Sequence, residues 1–440
     1  MTDTIVPNTS GNSEHSLKPG VLGLFDSAIM GIAGSAPAYS ISATTLFLFA
    51  NVGFGGAASL LYCGFFMFGI VFAFNYLSKS DSTAGATYSW VRRALHPYLG
   101  YLAGWALIVS ALIFMVIATF PAGSNLLDIF RPSLASNKTL ITILGAVFFL
   151  LMVAAVAAGV TVTVTVQIIM SCIEIALLLL FAGLAIFHAH VVPFSWHWFS
   201  PSIFSTIHGN TFFAGALLAA FYYWGWDVTA NLNEETKDPG ANKDKKFQTS
   251  TSGLGGILGT IVVFLLFEVF TIASNMVIPA KDMGTNSPYS ADILAHLGQI
   301  VAPGWFGKFI VVSVLLSTIA TLETTLIQVT RTLFSMGRDK TLPAGTGSSL
   351  SPTPYPHRGD RHGHRDFISA VRGQSVHRIG IQHPPRWILR HRYSDLYLLR
   401  TRWILGHCPL SPPALQVRQE FHLHGPVAAA GRTLHDRGLL

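Results

Sequence analysis

The chain has 440 residues, 51% of them hydrophobic and 11% charged, against about 25% charged in an ordinary soluble domain. That composition excludes a soluble globular domain and points to a membrane protein. The formal net charge of +7 is uneven: residues 1–344 hold 15 Lys and Arg against 16 Asp and Glu, while residues 345–440 hold 13 against 5.

Residues 1–20 are polar, with no basic n-region and no small-residue cleavage site, so they read as a soluble leader rather than a secretory signal. Apolar runs follow at 21–50, 57–78, 99–130, 139–158, 163–188, 211–233, 252–278 and 305–331. Each is long enough to cross a hydrocarbon core, which takes roughly 20 residues per helix. The reading is an all-α multi-pass membrane protein with eight transmembrane helices in a domain spanning 21–343. Counting Lys and Arg in alternate loops gives eleven on the side of the N-terminus. Only Arg131, Lys138, Lys281 and Lys308 fall on the other. The positive-inside rule then places the N-terminus and the tail in the cytoplasm, across a cell (plasma) membrane. The stretch VVPFSWHWFS (191–200) falls on the outer side as an interfacial aromatic belt. Cys63, Cys172 and Cys408 are far apart and suggest packing residues, not a disulfide or metal framework.

From residue 344 onward the composition changes. Residues 345–440 contain 13 of the 18 arginines and 10 of the 17 histidines but no lysine, and no run approaches a membrane span. Three readings stand: a translated frame shift, a disordered basic tail, or a nucleic-acid-binding segment, the last the least supported. Histidine pairs such as His362 and His364 fit chance spacing better than a metal site.

Two of the apolar runs contain helix breakers. The first reads GLFDSAIMGIAGSAPAYSISATTLFLFA, with Gly31, Gly34 and Pro37 inside the span. Proline removes an amide donor and glycine permits non-helical torsions, so the helix should open there. The sixth shows the same feature at Trp224, Gly225, Trp226 and Asp227. Interrupted helices at corresponding positions of two halves point to an inverted-repeat transporter with its site at mid-membrane. The plainer alternative is packing glycines and a proline kink. A break in helix 1 exposes amides suited to a carboxylate, and a break in helix 6 exposes carbonyls suited to an ammonium. A zwitterion satisfies both.

Four stretches, GIAGSAPAYS, DSTAGATYSWVRRALHPYLGYLAGW, WGWDVTANLNEETKDP and RTLFSMGRDKTLP, together resemble the amino acid-polyamine-organocation (APC) permease family. The resemblance implies a five-plus-five inverted-repeat (LeuT-like) fold. It places Gly31, Ala33, Gly34, Ser35 and Ala36 on the family's unwound helix-1 motif, which receives a substrate carboxylate. An alanine stands at its third glycine, with Pro37 next. It places Phe221, Trp224, Gly225 and Asp227 at the helix-6 site, the two aromatics near a residue that closes over substrate. Arg331, Arg338 and Asp339 fit the end of helix 8, where Lys340 replaces a usual glycine. The family has at least ten core helices, so the second repeat reads as incomplete and the chain as truncated after the eighth helix.

Ionisable residues inside membrane helices each need a reason. Glu174 and Glu323 are candidates for ion coupling or a polar network, and Glu268 for a structural role. Gly255 and Gly259 in GLGGILG, like Gly100 and Gly104, suit close helix packing. No hydrolytic triad, zinc spacing or nucleotide fingerprint occurs in residues 1–344. The expectation is therefore no enzyme, cofactor, metal or nucleic-acid partner. It is a permease of amino acids or related amines, by proton symport or exchange, with the substrate, protons and the lipid bilayer as partners. A non-transporting amino-acid sensor and a non-functional truncated permease are the alternatives.

Overall fold

The computed structural model describes residues 17–205, 211–237, 250–279, 282–283 and 293–342. Most of the leader and the whole of 344–440, histidine pairs included, lie outside the described residues.

The described residues fold into helices. Two, α1 (Leu24–Ser35) and α2 (Pro37–Val52), form one apolar run cut at Ala36, and α3 (Gly56–Ser80) follows a short 3-10 turn. A short α4 (Thr87–Ala94) precedes α5 (Pro97–Phe130), α6 (Lys138–Ala158) and α7 (Val160–Phe187). Then come α8 (Thr211–Tyr222), α9 (Val228–Asn231), α10 (Thr251–Val277), α11 (Ile293–Val301) and α12 (Phe309–Arg338). Their ends follow local chemistry. Asn137 Oδ1 accepts the Leu140 N–H at 3.1 Å to start α6, and Ser250 Oγ accepts the Gly253 N–H at 3.2 Å to start α10. Pro97 sits in the first turn of α5, where its missing N–H costs nothing.

Six helical stretches among the described residues are long and apolar enough to cross a membrane. One of them, Leu24–Ser80, has 57 residues. A continuous helix of that length would extend roughly 85 Å, against about 30 Å of hydrocarbon, and its interruptions at Ala36 and Gly53–Gly55 divide it. The outer surface is apolar: Phe66, Val116 and Leu217 are each about three-quarters exposed, which suits lipid and not water. The interior is the reverse, with Gln167, Ser171, Ser313, Ser317 and Thr318 completely buried. Cys172 is exposed and Cys63 half-buried, so Cys172 is not the packing residue expected.

The observed elements differ from the predicted spans in three places. Helix α4 escapes a search for apolar runs because it is short and carries Arg92 and Arg93, yet it buries Tyr88, Ser89 and Trp90. Helix α11 falls between predicted spans and packs Ile293, Leu294 and Leu297 into the main core beside Ile310 and Val311 of α12. Helix α12 continues to Arg338 instead of stopping at 331, and Arg331 and Arg338 are paired there with the carboxylates of Glu235 and Glu234. The glycines of α10 do serve close packing. A Cβ on Gly255 would overlap Ser27 of α1, and one on Gly259 would come within 2.9 Å of the Ala28 carbonyl oxygen.

Candidate functional site

Helix α1 ends where Pro37 removes an amide and with it the partner of the Ala33 carbonyl. The chain turns at Ala36, whose φ of 46° and ψ of 68° are left-handed, and resumes with Pro37 as the first residue of α2. Gly31 and Gly34 stay within α1, so the opening is one residue wide and lies at Ala36, not at the glycines. The second interruption runs from Tyr223 to Asp227, between α8 and α9, with Gly225 at φ 108°. The two breaks touch through backbone. A Cβ on Gly34 would overlap the carbonyl of Gly225, and a Cβ on Gly225 would overlap the carbonyl of Gly34.

Beside this contact lies a cavity of about 280 Å³. Gly34, Ser35, Ala36, Phe221, Trp224, Gly225 and Asp227 line it. Gly31 and Ala33 do not: Gly31 faces Thr229 and α10, while Ala33 packs with Met170 and Ala320. The rest of the wall comes from Tyr39 and Ser40 of α2 and from two further helices, whose lining residues the sequence reading did not name. Helix α5 contributes Leu107, Ser110, Ala111 and Phe114, and α12 contributes Thr321, Thr324, Thr325 and Gln328. Each set has the spacing i, i+3, i+4, i+7 of one helix face. On α12 that face is a stripe of hydroxyls and an amide, the signal that would have found it. Gln328 Nε2 donates to Asp227 Oδ2 at 2.8 Å, which ties α12 to the second break.

Glu174 and Glu323 lie outside the cavity wall. Glu174 Oε1 accepts the Ala38 N–H at 2.8 Å, and Ser317 Oγ accepts the Tyr39 N–H at 3.1 Å. The first two free amides of α2 are thus occupied within the protein. Gln167, two helical turns before Glu174, donates to Glu323 Oε2 at 2.5 Å and to the Ala320 carbonyl at 3.0 Å. Glu268 is buried with neither carboxylate oxygen hydrogen-bonded among the described residues.

Past α9 the chain enters a cluster of ion pairs. Arg331 grips Glu235 through Nε and Nη2, each at 3.0 Å, and Arg338 grips Glu234 through Nη1 at 3.0 Å and Nη2 at 2.6 Å. Two-point contacts of this kind fix geometry as well as charge. Arg92 Nη1 reaches Asp339 at 3.0 Å, and Arg93 pairs with Asp81. Burial raises the Asp81 carboxyl above its ordinary value, and Arg93 works against that rise. The segment before α1 joins the cluster: the Val21 and Leu22 amides donate to the Glu235 carbonyl at 2.9 and 3.0 Å.

The amino acid permease family model matches residues 22–359, which takes in both breaks, the cavity and the ion-pair cluster. The chain belongs to the amino acid permease family. It is a multi-pass membrane transporter and not an enzyme. Its relatives include the branched-chain amino acid permease BcaP of Bacillus subtilis (strain 168), 26% identical over 375 residues, covering 80% of this chain and 74% of the relative. The methylthioribose transporter of the same organism is 25% identical over 359 residues, covering 76% and 71%.

Proposed function

We propose that this permease is a secondary transporter that carries an amino acid or related amine across the plasma membrane by proton symport or by exchange. The observation that carries the reading is the cavity built where two broken helices meet, since opened backbone at membrane depth is tolerated where it lines such a space. We read eight crossings: the Leu24–Ser80 stretch counts as two, and α8 with α9 counts as one broken helix. These crossings belong to a five-plus-five inverted-repeat fold, with the N-terminus and the tail on the cytoplasmic side.

In this reading the ion pairs that join Arg331 and Arg338 to the loop after α9, Arg92 to Asp339 and Arg93 to Asp81 close the cytoplasmic end, and the cavity lies on the outer side of that closure. Glu174 is the coupling group. Its carboxylate holds the first free amide of α2, so gain or loss of one proton changes the hydrogen bond that anchors the helix beside the cavity. Glu323, reached through Gln167, extends that network.

Purified protein in proteoliposomes, offered a panel of labelled amino acids with and without an imposed proton gradient, tests the proposal. The name of one relative makes leucine, isoleucine and valine the first choices. Accumulation that responds to the gradient, or to amino acid loaded inside, is expected. Binding without uptake would replace the reading by a sensor, and neither by an inactive product.

A further inference from the structure

Buried carboxylates are normally paired or hydrogen-bonded, and one in this protein is neither. Glu268 of α10 is 8% exposed, and neither of its oxygens has a hydrogen-bond partner among the described residues. A carboxylate kept for structure would hold a partner, as Glu174 holds the Ala38 amide.

The groups that face Glu268 are committed elsewhere. Tyr223 interacts electrostatically with Glu268 and with Cys63 of α3, yet its hydroxyl donates to the Leu60 carbonyl at 3.1 Å. Tyr222 shares a 2.5 Å hydrogen bond with Thr45, and Cys63 Sγ donates to the Ala216 carbonyl at 3.7 Å. The acids on helices packed against α10 have their own partners: Asp26 of α1 accepts the Gly23 amide, and Glu174 of α7 the Ala38 amide. Past the second break, Asp227 is held by Gln328, and Glu234 and Glu235 by Arg338 and Arg331. His188, His190 and His197, beyond the end of α7, are exposed. Among α1, α2, α3, α7 and α8 the one cation is Lys79, which lies sixteen residues beyond Cys63 on α3 and so roughly 24 Å further along the helix.

What remains around Glu268 is apolar. Tyr223 packs on Phe264 and Phe267 with ring centroids 6.4 and 5.4 Å apart. Helix α3 comes so close that a Cβ on Gly64 would fall within 2.5 Å of the Phe264 ring. The cavity between the breaks does not reach this position. A lone charge is costly in such surroundings. A proton removes it on the spot, whereas a metal cation needs about six oxygen ligands, which a wall of rings does not supply.

We propose that Glu268 is a proton-binding site separate from the cavity and from Glu174, and that its proton is released when α8 moves against α10. Tyr223 links the two events. It is the first residue of the second break, so movement of that break shifts the wall that keeps water from Glu268.

The purified full chain treated with dicyclohexylcarbodiimide, an apolar reagent that adds to protonated carboxyls, tests the site through mass mapping of its peptides. Glu268 should be modified near neutral pH and spared by a water-soluble carbodiimide, and its labelling should fall about tenfold per pH unit once the proton is lost. Infrared spectra should show a neutral-acid carbonyl band that is missing from Glu268→Gln and displaced in Glu268→Asp. Trp224 and Trp226 lie within the second break, so a pH titration of tryptophan fluorescence follows its movement; the change should shrink at least several-fold in Glu268→Gln. Should that variant fold poorly, labelling of the wild type still decides the site. Absence of both label and band overturns the proposal, as does protection from the label by sodium ions. A fluorescence titration unchanged in Glu268→Gln overturns the link to α8. None of these readouts uses uptake, so they stand or fall apart from the transporter reading.

Discussion

Gly34 of α1 and Gly225 of the second break lie so close that each occupies the position of the other's missing Cβ. Gly225 also holds a φ of 108°, a torsion that suits glycine alone. Gly34→Ala and Gly225→Ala should each destabilise the protein, by about 1–3 kcal/mol. Gly225→Ala should cost more, because it adds strain to the clash. The double variant should cost less than the sum, since both changes disrupt one contact. Thermal unfolding in detergent checks the ranking, and additive costs would show that the breaks do not depend on each other.

Among the described residues, three that are not glycine hold a positive φ: Ala36 at 46°, Ala86 at 42° and Lys340 at 58°. Left-handed torsions cost an L-residue roughly 1–2 kcal/mol, part of which glycine returns through a more flexible unfolded chain. Lys340→Gly should therefore raise stability by about half to 1 kcal/mol. Ala36→Gly should do the same while leaving the cavity wall in place. A lower melting temperature for Lys340→Gly would mean that its side chain contributes more than its backbone costs.

Glu174 separates a structural role from a coupling role. Glu174→Gln keeps an oxygen for the Ala38 amide, whereas Glu174→Leu strands that amide at about 1–3 kcal/mol. The expected pattern is near-normal stability and loss of proton-dependent uptake for the glutamine variant, with lower stability for leucine. Unchanged pH dependence of uptake in Glu174→Gln would remove the residue from the coupling path.

The pair Arg331 and Glu235 is largely buried, with side-chain exposures of 15% and 3%. Removing one partner leaves the other charge unpaired at about 3–5 kcal/mol. Arg331→Ala and Glu235→Ala should each be severe, and the double change milder than either. Arg338 and Glu234, at 30% and 17%, should give a smaller coupling in the same cycle, because solvent screens them more.

Asp81 sets a pH dependence of known sign. Burial raises its carboxyl, so the fold binds that proton more tightly than the unfolded chain does. Its contribution favours the fold below the ordinary carboxylate range near pH 4 and is lost as pH rises through the raised value. Asp81→Asn removes the dependence. The melting temperature of the variant relative to wild type should climb as pH rises from about 4 through the raised value; a flat difference would mean that Arg93 offsets the burial.

The amino-acid sequence by itself determined the solvent of this protein and the existence of two breaks. Apolar runs longer than a bilayer crossing report lipid whatever they pack against, and Pro37 and Gly225 interrupt a helix by their own covalent structure. Even so, the turn at Ala36 is set by the fold: proline imposes a break but not which neighbour turns. Tertiary structure decided which side chains the breaks face. The α5 and α12 walls are far away in sequence, and their polar stripes gain meaning only when helix packing brings them to one cavity. The partners of Glu174 were equally invisible, because a hydrogen bond across 136 residues leaves no trace in local spacing. The same packing that builds the cavity also pairs the first free amides of α2 with Glu174 and Ser317.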